Sequence, residues 1–336
     1  MTLFHETGWA KINLALHVRA RRADGYHEIE TLFAFVDGGD AIAAAVSDAD
    51  HLTIDGPFGE GLSAGADNLV LRVLALLRDR YGAARVPPLA IRLTKTLPVA
   101  AGIGGGSADA AAMARLVRAH FLPDVGEAAI ARLVGTLGAD IAACVASATC
   151  LGVGTGAELS PVPELTLGGT PVLLVNPRAP VATGPVFAAW DGTDRGPLFT
   201  GADLRAQLFA ARNDLQRPAI AQCPAIADIL TELGGLGPWL ARMSGSGATC
   251  FALFDAPAER DAAATELARR RAPAPVPAEE GRAHARPRPR SRRRAGRNGA
   301  ARRSRGRRLG RRPGAGRDAH RCRVDRPCPV QRTAAL

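Results

Sequence analysis

The stretch PVAAGIGGGSADAA, residues 98–111, places three consecutive glycines directly before an alanine-rich helical pattern. The glycines at 104–106 have no Cβ and can adopt positive φ, so successive backbone N–H groups can converge on an anion. Ser107 can cap the following helix, whose positive dipole end would face the same anion. The stretch predicts a phosphate cradle, although a glycine-rich turn that only joins a strand to a helix would look the same. Apolar residues recur at helical spacing behind the glycines: Ala110, Met113, Ala114 and Val117.

This loop differs from the better-known glycine loops. No Gly-Lys-Ser/Thr follows it, which excludes a P-loop, and the pattern Gly102-x-Gly104-x-x-Ser107 lacks the third glycine of a dinucleotide fingerprint. Residues 89–94 alternate between large apolar and smaller or polar side chains, which predicts a half-buried strand that Pro98 follows. The predicted unit is therefore a strand, a glycine loop and a helix.

The chain contains 41 arginines and only two lysines, Lys11 and Lys95. Where arginine fills nearly every basic position, a lysine indicates a need for a compact ammonium, although chance survival on the surface would explain either lysine alone. Lys95 lies at the entry to the glycine loop. Lys11 and Asn13 share one face of the alternating stretch 9–18, and such a donor pair suits a phosphate acceptor site, but an exposed polar face would give the same pattern.

Length and composition limit the class of protein. A chain of 336 residues with 47% hydrophobic content allows two globular domains. No apolar run is long enough to span a membrane, and the N terminus lacks the features of a signal peptide, so we expect a cytoplasmic protein without a membrane partner. The cysteines have no Cys-x-x-Cys spacing, which predicts reduced, buried thiols and no metal site. They are Cys144, Cys150, Cys223, Cys250, Cys322 and Cys328.

The net charge of +11 comes from one end of the chain. Residues 272–336 contain 20 arginines and four acidic residues, so they carry +16, whereas residues 1–271 carry −5. The segment is rich in Arg, Pro, Gly and Ala and has few large apolar residues, which predicts disorder. It could act as a nucleic-acid arm, but no aromatics interleave its arginines, so we favour a disordered extension or a shifted reading frame and expect no nucleic-acid partner.

Before this tail, the chain reads as two halves, divided near residue 157. Ser and Gly alternate at 244–247 and predict a second turn rich in hydrogen-bond donors, which a flexible linker would also supply. Hydrophobic periodicity predicts helices at 127–136, 203–212 and 225–233, and strands at 172–175 and 249–254.

Six motifs, taken in chain order, resemble the GHMP small-molecule kinases over residues 5–256. The glycine loop marks the superfamily, and DGYHEIET beside AKINLAL narrows the resemblance to the branch with a cytidine-diphosphate-linked acceptor. The resemblance implies an α+β fold, with an N-terminal α/β nucleotide-binding domain at 1–157 and a ferredoxin-like α/β domain at 158–271. The tail at 272–336 lies outside it. The motifs are AKINLALHV, RADGYHEIETLF, DNLVLR, LPVAAGIGGGSADAA, GADIAACV and MSGSGATCFALF.

The resemblance implies ATP-dependent phosphorylation of an alcohol with Mg²⁺. Lys11 and Asp140 would flank the acceptor hydroxyl, with Asp140 as the general base, while Tyr26 would stack on the cytosine and His27 would hydrogen-bond to it. Other implied substrate contacts are Asn13, Thr183 and Phe187. Implied ATP contacts are Asn68, Leu69, Lys95, Pro98, Val99, Ala100, Ala101, Gly102, Ile103, Gly104, Gly105, Gly106, Ser107 and Ala108. The turn Ser244, Gly245, Ser246 and Gly247 would close the site from the second domain.

Some residues depart from the family pattern or allow other interpretations. Ala108 and Ala142 replace a serine and a proline common in the family, and the element that normally ends the second domain is expected to be absent or replaced after residue 272. Taken alone, Asp140 could be a helix cap or a salt-bridge carboxylate, and His27 a core or surface partner. A homoserine or mevalonate type of GHMP kinase is the alternative, but it would lack the nucleobase clamp. We expect a monomer or homodimer.

Overall fold

The computed structural model describes residues 2–162, 165, 167–199, 203–271 and 333–335. Nearly all of the predicted tail, with Cys322 and Cys328, lies outside the described residues. The four described cysteines are free and buried, as predicted. In the described part of the chain, no helix combines the length and apolar character that crossing a membrane requires.

The first half is built on a six-stranded sheet, whose order is β3-β4-β2-β5-β6 with β1 paired to β2. All pairs are antiparallel except β3 with β4. The strand β6 continues this sheet beyond residue 157, and the division of the chain at that point stays a prediction. The strands are β1 Phe4–Arg21, β2 His27–Val46, β3 His51–Asp55, β4 Leu89–Thr94, β5 Cys150–Gly154 and β6 Glu158–Pro161.

The long hairpin of β1 and β2 is the centre of the molecule. β1 pairs along β2 from Phe4 opposite Ala44 to Arg21 opposite His27, with irregularities that include one between Asn13 and Ala15. The residues 10–18 are buried on both faces of the strand. The predicted strand is therefore confirmed, but the possibility of an exposed polar face is wrong.

Helices cover one face of this sheet. The second helix lies against β1, and its residues 108–117 are all buried. Gly8 of β1 allows the two backbones to approach closely, because a Cβ there would lie only 3.0 Å from the backbone of Ala108. The helices are α1 Leu69–Tyr81, α2 Gly105–Phe121, α3 Glu127–Val134, followed by a 3-10 turn at Gly135–Leu137, and α4 Ala139–Ala146.

The second half has a four-stranded sheet in the order β10-β7-β9-β8, with β10 parallel to β7 and the other pairs antiparallel. Apolar residues of α8 and α9, such as Ile229 and Leu267, are fully buried beside it. The helix α9 ends at residue 271 and the edge strand β10 lies at 333–335. The expectation that the element ending the second domain is absent or replaced after residue 272 stays a prediction. The elements are β7 Val172–Val175, α5 Thr183–Ala188, α6 Leu204–Ala210, α7 Gln216–Gln222, α8 Ala225–Gly234, β8 Leu240–Met243, β9 Cys250–Leu253, α9 Pro257–Arg271 and β10 Thr333–Ala335.

Helices and mainly antiparallel sheets occupy both halves, so the predicted α+β class is confirmed. The helices and strands predicted from periodicity are present, with ends that differ by up to two residues, except that β1 begins five residues before and ends three residues after the predicted stretch 9–18. One local prediction is wrong. The helix α2 begins at Gly105 behind a left-handed Gly104, without a side-chain cap, so Ser107 lies inside the first turn and does not cap the helix.

Candidate active site

Distant parts of the chain close the outer edge of β1. The backbone N–H of Lys11 donates to the carbonyl of Ile103, at 3.0 Å. The backbone N–H of Leu16 donates to the carbonyl of Arg212, at 2.9 Å. The N–H of Asn13 donates to the Ser244 hydroxyl at 3.0 Å. The glycine loop and the second half therefore meet β1 where its polar side chains lie.

Lys11 and Asp140 form the charged centre. The Lys11 ammonium lies 2.9 Å from the Asp140 carboxylate. It also donates to Oδ1 of Asn13 at 2.9 Å, and it lies 5.0 Å from the centroid of the Phe33 ring. The lysine side chain is 4% exposed and the aspartate side chain 37%, so the ammonium is held within the protein while the carboxylate remains reachable.

The orientation of Asn13 is fixed by a short chain of hydrogen bonds. Its amide nitrogen donates to the Thr31 hydroxyl at 2.7 Å, and that hydroxyl donates to the carbonyl of Ala15 at 2.8 Å. The amide oxygen of Asn13 is therefore the atom that faces Lys11. Sequence reasoning missed Thr31, since only the pairing of β1 with β2 brings it beside Asn13.

Asp140 lies in the first turn of α4. A carboxylate is favoured there by the positive end of the helix dipole. No side-chain cap hydrogen bond is present at this helix end, so the interpretation of Asp140 as a helix cap is wrong. The salt-bridge interpretation does describe its contact with Lys11, but the pair lines a cavity and is not a surface bridge.

The glycines of the loop differ in backbone conformation and in what surrounds them. Gly102 and Gly104 have φ of +73° and +68°. A Cβ on Gly104 would lie 3.0 Å from Cε of Lys11, whereas a Cβ on Gly105 or Gly106 would meet nothing closer than 3.6 Å. The first two glycines thus allow the turn and the close approach to Lys11. The next two lie on the cavity wall in the first turn of α2, where backbone N–H groups have no partner within the helix, as an anion site requires.

The Ser-Gly turn of the second half interlocks with the glycine loop. The Ser244 hydroxyl donates to the carbonyl of Gly102 at 2.8 Å, and the N–H of Thr249 donates to the carbonyl of Ala101 at 3.1 Å. The Asn213 amide donates to the carbonyl of Gly245 at 2.8 Å. These contacts fix the turn, and the alternative of a flexible linker is wrong.

The cavity beside these elements has a volume of about 810 Å³. It extends from Lys11 and Asp140 to the DGYH motif and α5. The predicted site residues on its wall are Lys11, Asn13, Tyr26, His27, Leu69, Ala100, Ala101, Gly102, Gly104, Gly105, Gly106, Ser107, Asp140, Thr183, Phe187, Gly245 and Ser246. The wall also contains Arg21, Arg22 and Phe33, which sequence reasoning did not select.

Aromatic rings cluster at the DGYH motif. The ring centroids of His27 and Phe187 are 5.1 Å apart, and those of His27 and Trp190 are 5.9 Å apart. Tyr26 is 64% exposed. Within the described residues, the buried Nε2 of His27 has no hydrogen-bond partner. Burial, and then the nearby Arg21 guanidinium, lower the pKa of His27, so a neutral imidazole offers a free polar atom to a ligand.

Some predicted site residues lie away from the cavity wall. Asn68 caps α1 by accepting from the N–H of Val70 at 2.9 Å, and Ile103 and Ala108 face the core. The Lys95 ammonium is enclosed by Asp40 and Asp109, so the structure does not offer it to an adenine ring. The others off the wall are Pro98, Val99, Ser244 and Gly247.

The chain matches two protein-family models, GHMP kinases N terminal domain at residues 68–148 and GHMP kinases C terminal at residues 201–273. The 4-diphosphocytidyl-2-C-methyl-D-erythritol kinase of Sphingopyxis alaskensis is 78% identical over 265 residues, which are 79% of this chain and 94% of that protein.

Solved structures have the same fold. A crystal structure of 4-(cytidine 5'-diphospho)-2C-methyl-D-erythritol kinase superposes with a TM-score of 0.63 and 32% identity, over 78% of this chain and 94% of that chain. Homoserine kinase from Cytophaga hutchinsonii gives 0.61 at 15% identity, over 80% and 90% of the two chains, which shows a shared fold only. The chain therefore belongs to the 4-diphosphocytidyl-2-C-methyl-D-erythritol kinases, a family of ATP-dependent small-molecule kinases within the GHMP kinases.

Proposed function

We propose that the protein transfers a phosphoryl group from ATP to the 2-hydroxyl of 4-(cytidine 5'-diphospho)-2-C-methyl-D-erythritol, in the non-mevalonate route to isopentenyl diphosphate and terpenoids. The observation that carries the proposal is a single cavity with an ammonium and carboxylate pair, an open helix N terminus and an aromatic cluster on its wall. The names of the similar proteins support the choice of acceptor.

The nucleotide phosphates would lie on the glycine loop. The N–H groups of Gly105, Gly106 and Ser107, which lie on the cavity wall in the first turn of α2, and the dipole of that helix stabilise negative charge there without any reorganisation. Leu69, on the cavity wall next to Gly106, is the apolar residue we assign to the adenine side, with Asn68 beside it. The remaining loop residues act through their backbone.

Magnesium would enter with the nucleotide. Its ligands would be mainly phosphate oxygens and water, which Mg²⁺ retains at kinase sites. When bound, Mg²⁺ neutralises charge on the transferred phosphoryl group.

Asp140 is the group we assign to the acceptor proton. Its carboxylate accepts the proton as the O–H bond breaks, while the acceptor oxygen attacks the γ-phosphorus and the bond from that phosphorus to the bridging oxygen breaks, releasing ADP. Lys11, fixed by Asn13 and Asp140, stabilises negative charge on the reacting oxygens. Asn13 and Thr183, both on the cavity wall, would hold the acceptor chain.

The cytosine would occupy the aromatic cluster. His27 offers an unpaired ring nitrogen to the base edge, and Phe187 and Tyr26 offer ring faces. The Ser246 hydroxyl lies 3.0 Å from the Thr183 hydroxyl, so the Ser-Gly turn closes the middle of the cavity. This cluster favours a nucleobase-linked acceptor over homoserine or mevalonate, which have no ring to stack.

A coupled assay of ADP release with three acceptors tests the proposal. We expect turnover with the cytidine-diphosphate-linked alcohol and a value of kcat/KM at least about 10³-fold lower with homoserine or mevalonate, because the aromatic cluster would stay unfilled. Comparable turnover of homoserine or mevalonate would contradict the proposed acceptor. The cytoplasmic location and the monomeric or homodimeric state stay predictions.

A further inference from the structure

Lys95 lies at the centre of a buried charge cluster behind the glycine loop. Its ammonium is 2.6 Å from Oδ2 of Asp109 and is also bonded to Oδ2 of Asp40. The three side chains are exposed by at most 6%. The other oxygen of Asp40 accepts from the N–H groups of Thr96 and Leu97, at 2.5 and 2.8 Å. The loop after β4 is thereby tied to β2 and α2.

This cluster adjoins the proposed phosphate site. A Cβ on Gly105 would lie 3.6 Å from the Lys95 ammonium and 3.9 Å from the Asp40 carboxylate. Asp109 follows Gly105 by one helical turn. The cluster therefore supports the first turn of α2 from the protein side, while the Lys11 and Asp140 pair lies on the cavity side.

The charges in the cluster do not balance. Two carboxylates share one ammonium, so the fully ionised cluster carries one negative charge without access to water, which is costly. Oδ1 of Asp109 is buried and has no hydrogen-bond partner among the described residues. The charged groups that act on Asp109 are Lys95 after β4 and Asp40 on β2, while β1 contributes the uncharged Gly8.

Burial raises the pKa of Asp109 to about 7, although the Lys95 ammonium opposes this shift, and the Asp40 carboxylate reinforces it. Protonation of Asp109 leaves a neutral pair of Lys95 and Asp40. Deprotonation places a net negative charge directly behind the turn that would bind phosphate. The two protonation states therefore differ in how well they receive an anion.

We propose that Asp109, through Lys95 and the first turn of α2, is a positioning residue for the nucleotide, and that nucleotide binding is accompanied by proton uptake at Asp109. The inference rests on the nucleotide site proposed above. Phosphate charge next to the cluster favours the protonated state, and by linkage the protonated cluster binds nucleotide more tightly. Lys95 would then act behind the loop and not on the adenine.

The number of protons taken up can be measured by isothermal titration calorimetry of Mg-ATP without acceptor, in two buffers of different ionisation enthalpy at pH 7.5. If the phosphates raise the pKa of Asp109 by about one unit, the native protein takes up about half a proton more than Asp109→Asn, and its nucleotide affinity falls up to about tenfold between pH 6 and 9. Asp109→Asn should lose this excess uptake and most of the pH dependence.

Two further variants separate titration from loss of structure. Asp40→Asn keeps Asp109 but removes the competing carboxylate, so the excess uptake should fall clearly below that of the native protein. Asp50→Asn changes a carboxylate paired with Arg78, away from the loop, and should retain it. If Asp109→Asn fails to fold, Asp40→Asn decides the question.

Equal proton uptake in the native protein, Asp109→Asn and Asp40→Asn would overturn the inference while leaving the nucleotide site intact. Absence of Mg-ATP binding would overturn both. Failure of the acceptor proposal would appear only in the assay with the three acceptors, because the calorimetry contains no acceptor.

Discussion

The two lysines of this chain lie on opposite sides of one glycine loop. Lys11 is paired with Asp140, whose side chain is 37% exposed, whereas Lys95 is paired with Asp40 and Asp109, which are exposed by 0% and 6%. Both ammonium groups are themselves enclosed. The exposure of the partner carboxylate therefore distinguishes a pair that can contact the substrate from a cluster that can act on it only through the backbone of the loop.

Substitutions at the two lysine sites should therefore have different effects. Changes at the enclosed cluster should lower the free energy of unfolding first, and changes at the cavity should lower activity with little effect on folding. The variants below test that separation, in order of expected effect.

Lys95→Met should produce the largest loss. It leaves Asp40 and Asp109 buried without their counter-ion, which costs about 3 to 5 kcal/mol of the free energy of unfolding. Urea denaturation followed by circular dichroism measures this. Arg92→Met, which breaks an exposed pair with Asp55, is the control and should change stability by less than about 1 kcal/mol. Equal losses in the two variants would remove the distinction between enclosed and exposed cations.

Asp140→Asn should lower kcat by about 10²-fold or more, because the amide cannot accept the acceptor proton. The unfolding midpoint should fall less than in Lys95→Met, because the Asp140 side chain is 37% exposed and Lys11 keeps its hydrogen bond to Asn13. Steady-state kinetics with the cytidine-diphosphate-linked acceptor, together with thermal denaturation, separates the two effects. Near-native turnover would refute the role of base, and a large loss of stability would place Asp140 with the enclosed cluster.

Tyr26→Ala should raise the KM for the acceptor by about tenfold, because a stacked base contributes about 1 to 3 kcal/mol. The KM for ATP should stay within about twofold, since nucleotide and base would occupy different ends of the cavity. Tyr26 is 64% exposed, so stability should not change. Equal changes in both KM values would count against the nucleobase clamp.

The smallest effect is a pH dependence of stability that comes from Asp109. Its pKa is raised from its ordinary value of 3.8 to about 7 in the folded protein, so the folded state holds a proton that the unfolded state has released. This contribution is fully present below pH 4 and is lost as pH rises through 7, which should cost about 1 kcal/mol between pH 6 and 8. Urea denaturation at both values should show this loss in the native protein and not in Asp109→Asn. The same loss in both proteins would assign it to other groups.

Individual helices and strands could be predicted from the sequence, because short-range patterns of apolar residues determine them. Alternation identified the strand of Lys11, and periodicity identified α3 and α8, since these patterns follow from burying one face of a regular element. The three glycines located the loop, but not where α2 begins. The residue at the N-cap position of α2 is Gly104, and not the expected Ser107. Gly104 has a positive φ and lies so close to Lys11 that a Cβ would be 3.0 Å from Cε of that lysine, so the position favours glycine.

By itself, the sequence determined the chemical groups, their order and the family resemblance that selected Lys11 and Asp140. Only the tertiary structure decided which lysine faces the cavity. Lys95 is bonded to Asp40, 55 residues away, and Asn13 to Ser244, 231 residues away. Burial and charge pairing are properties of such long-range contacts, so the spacing of residues along a strand cannot show them.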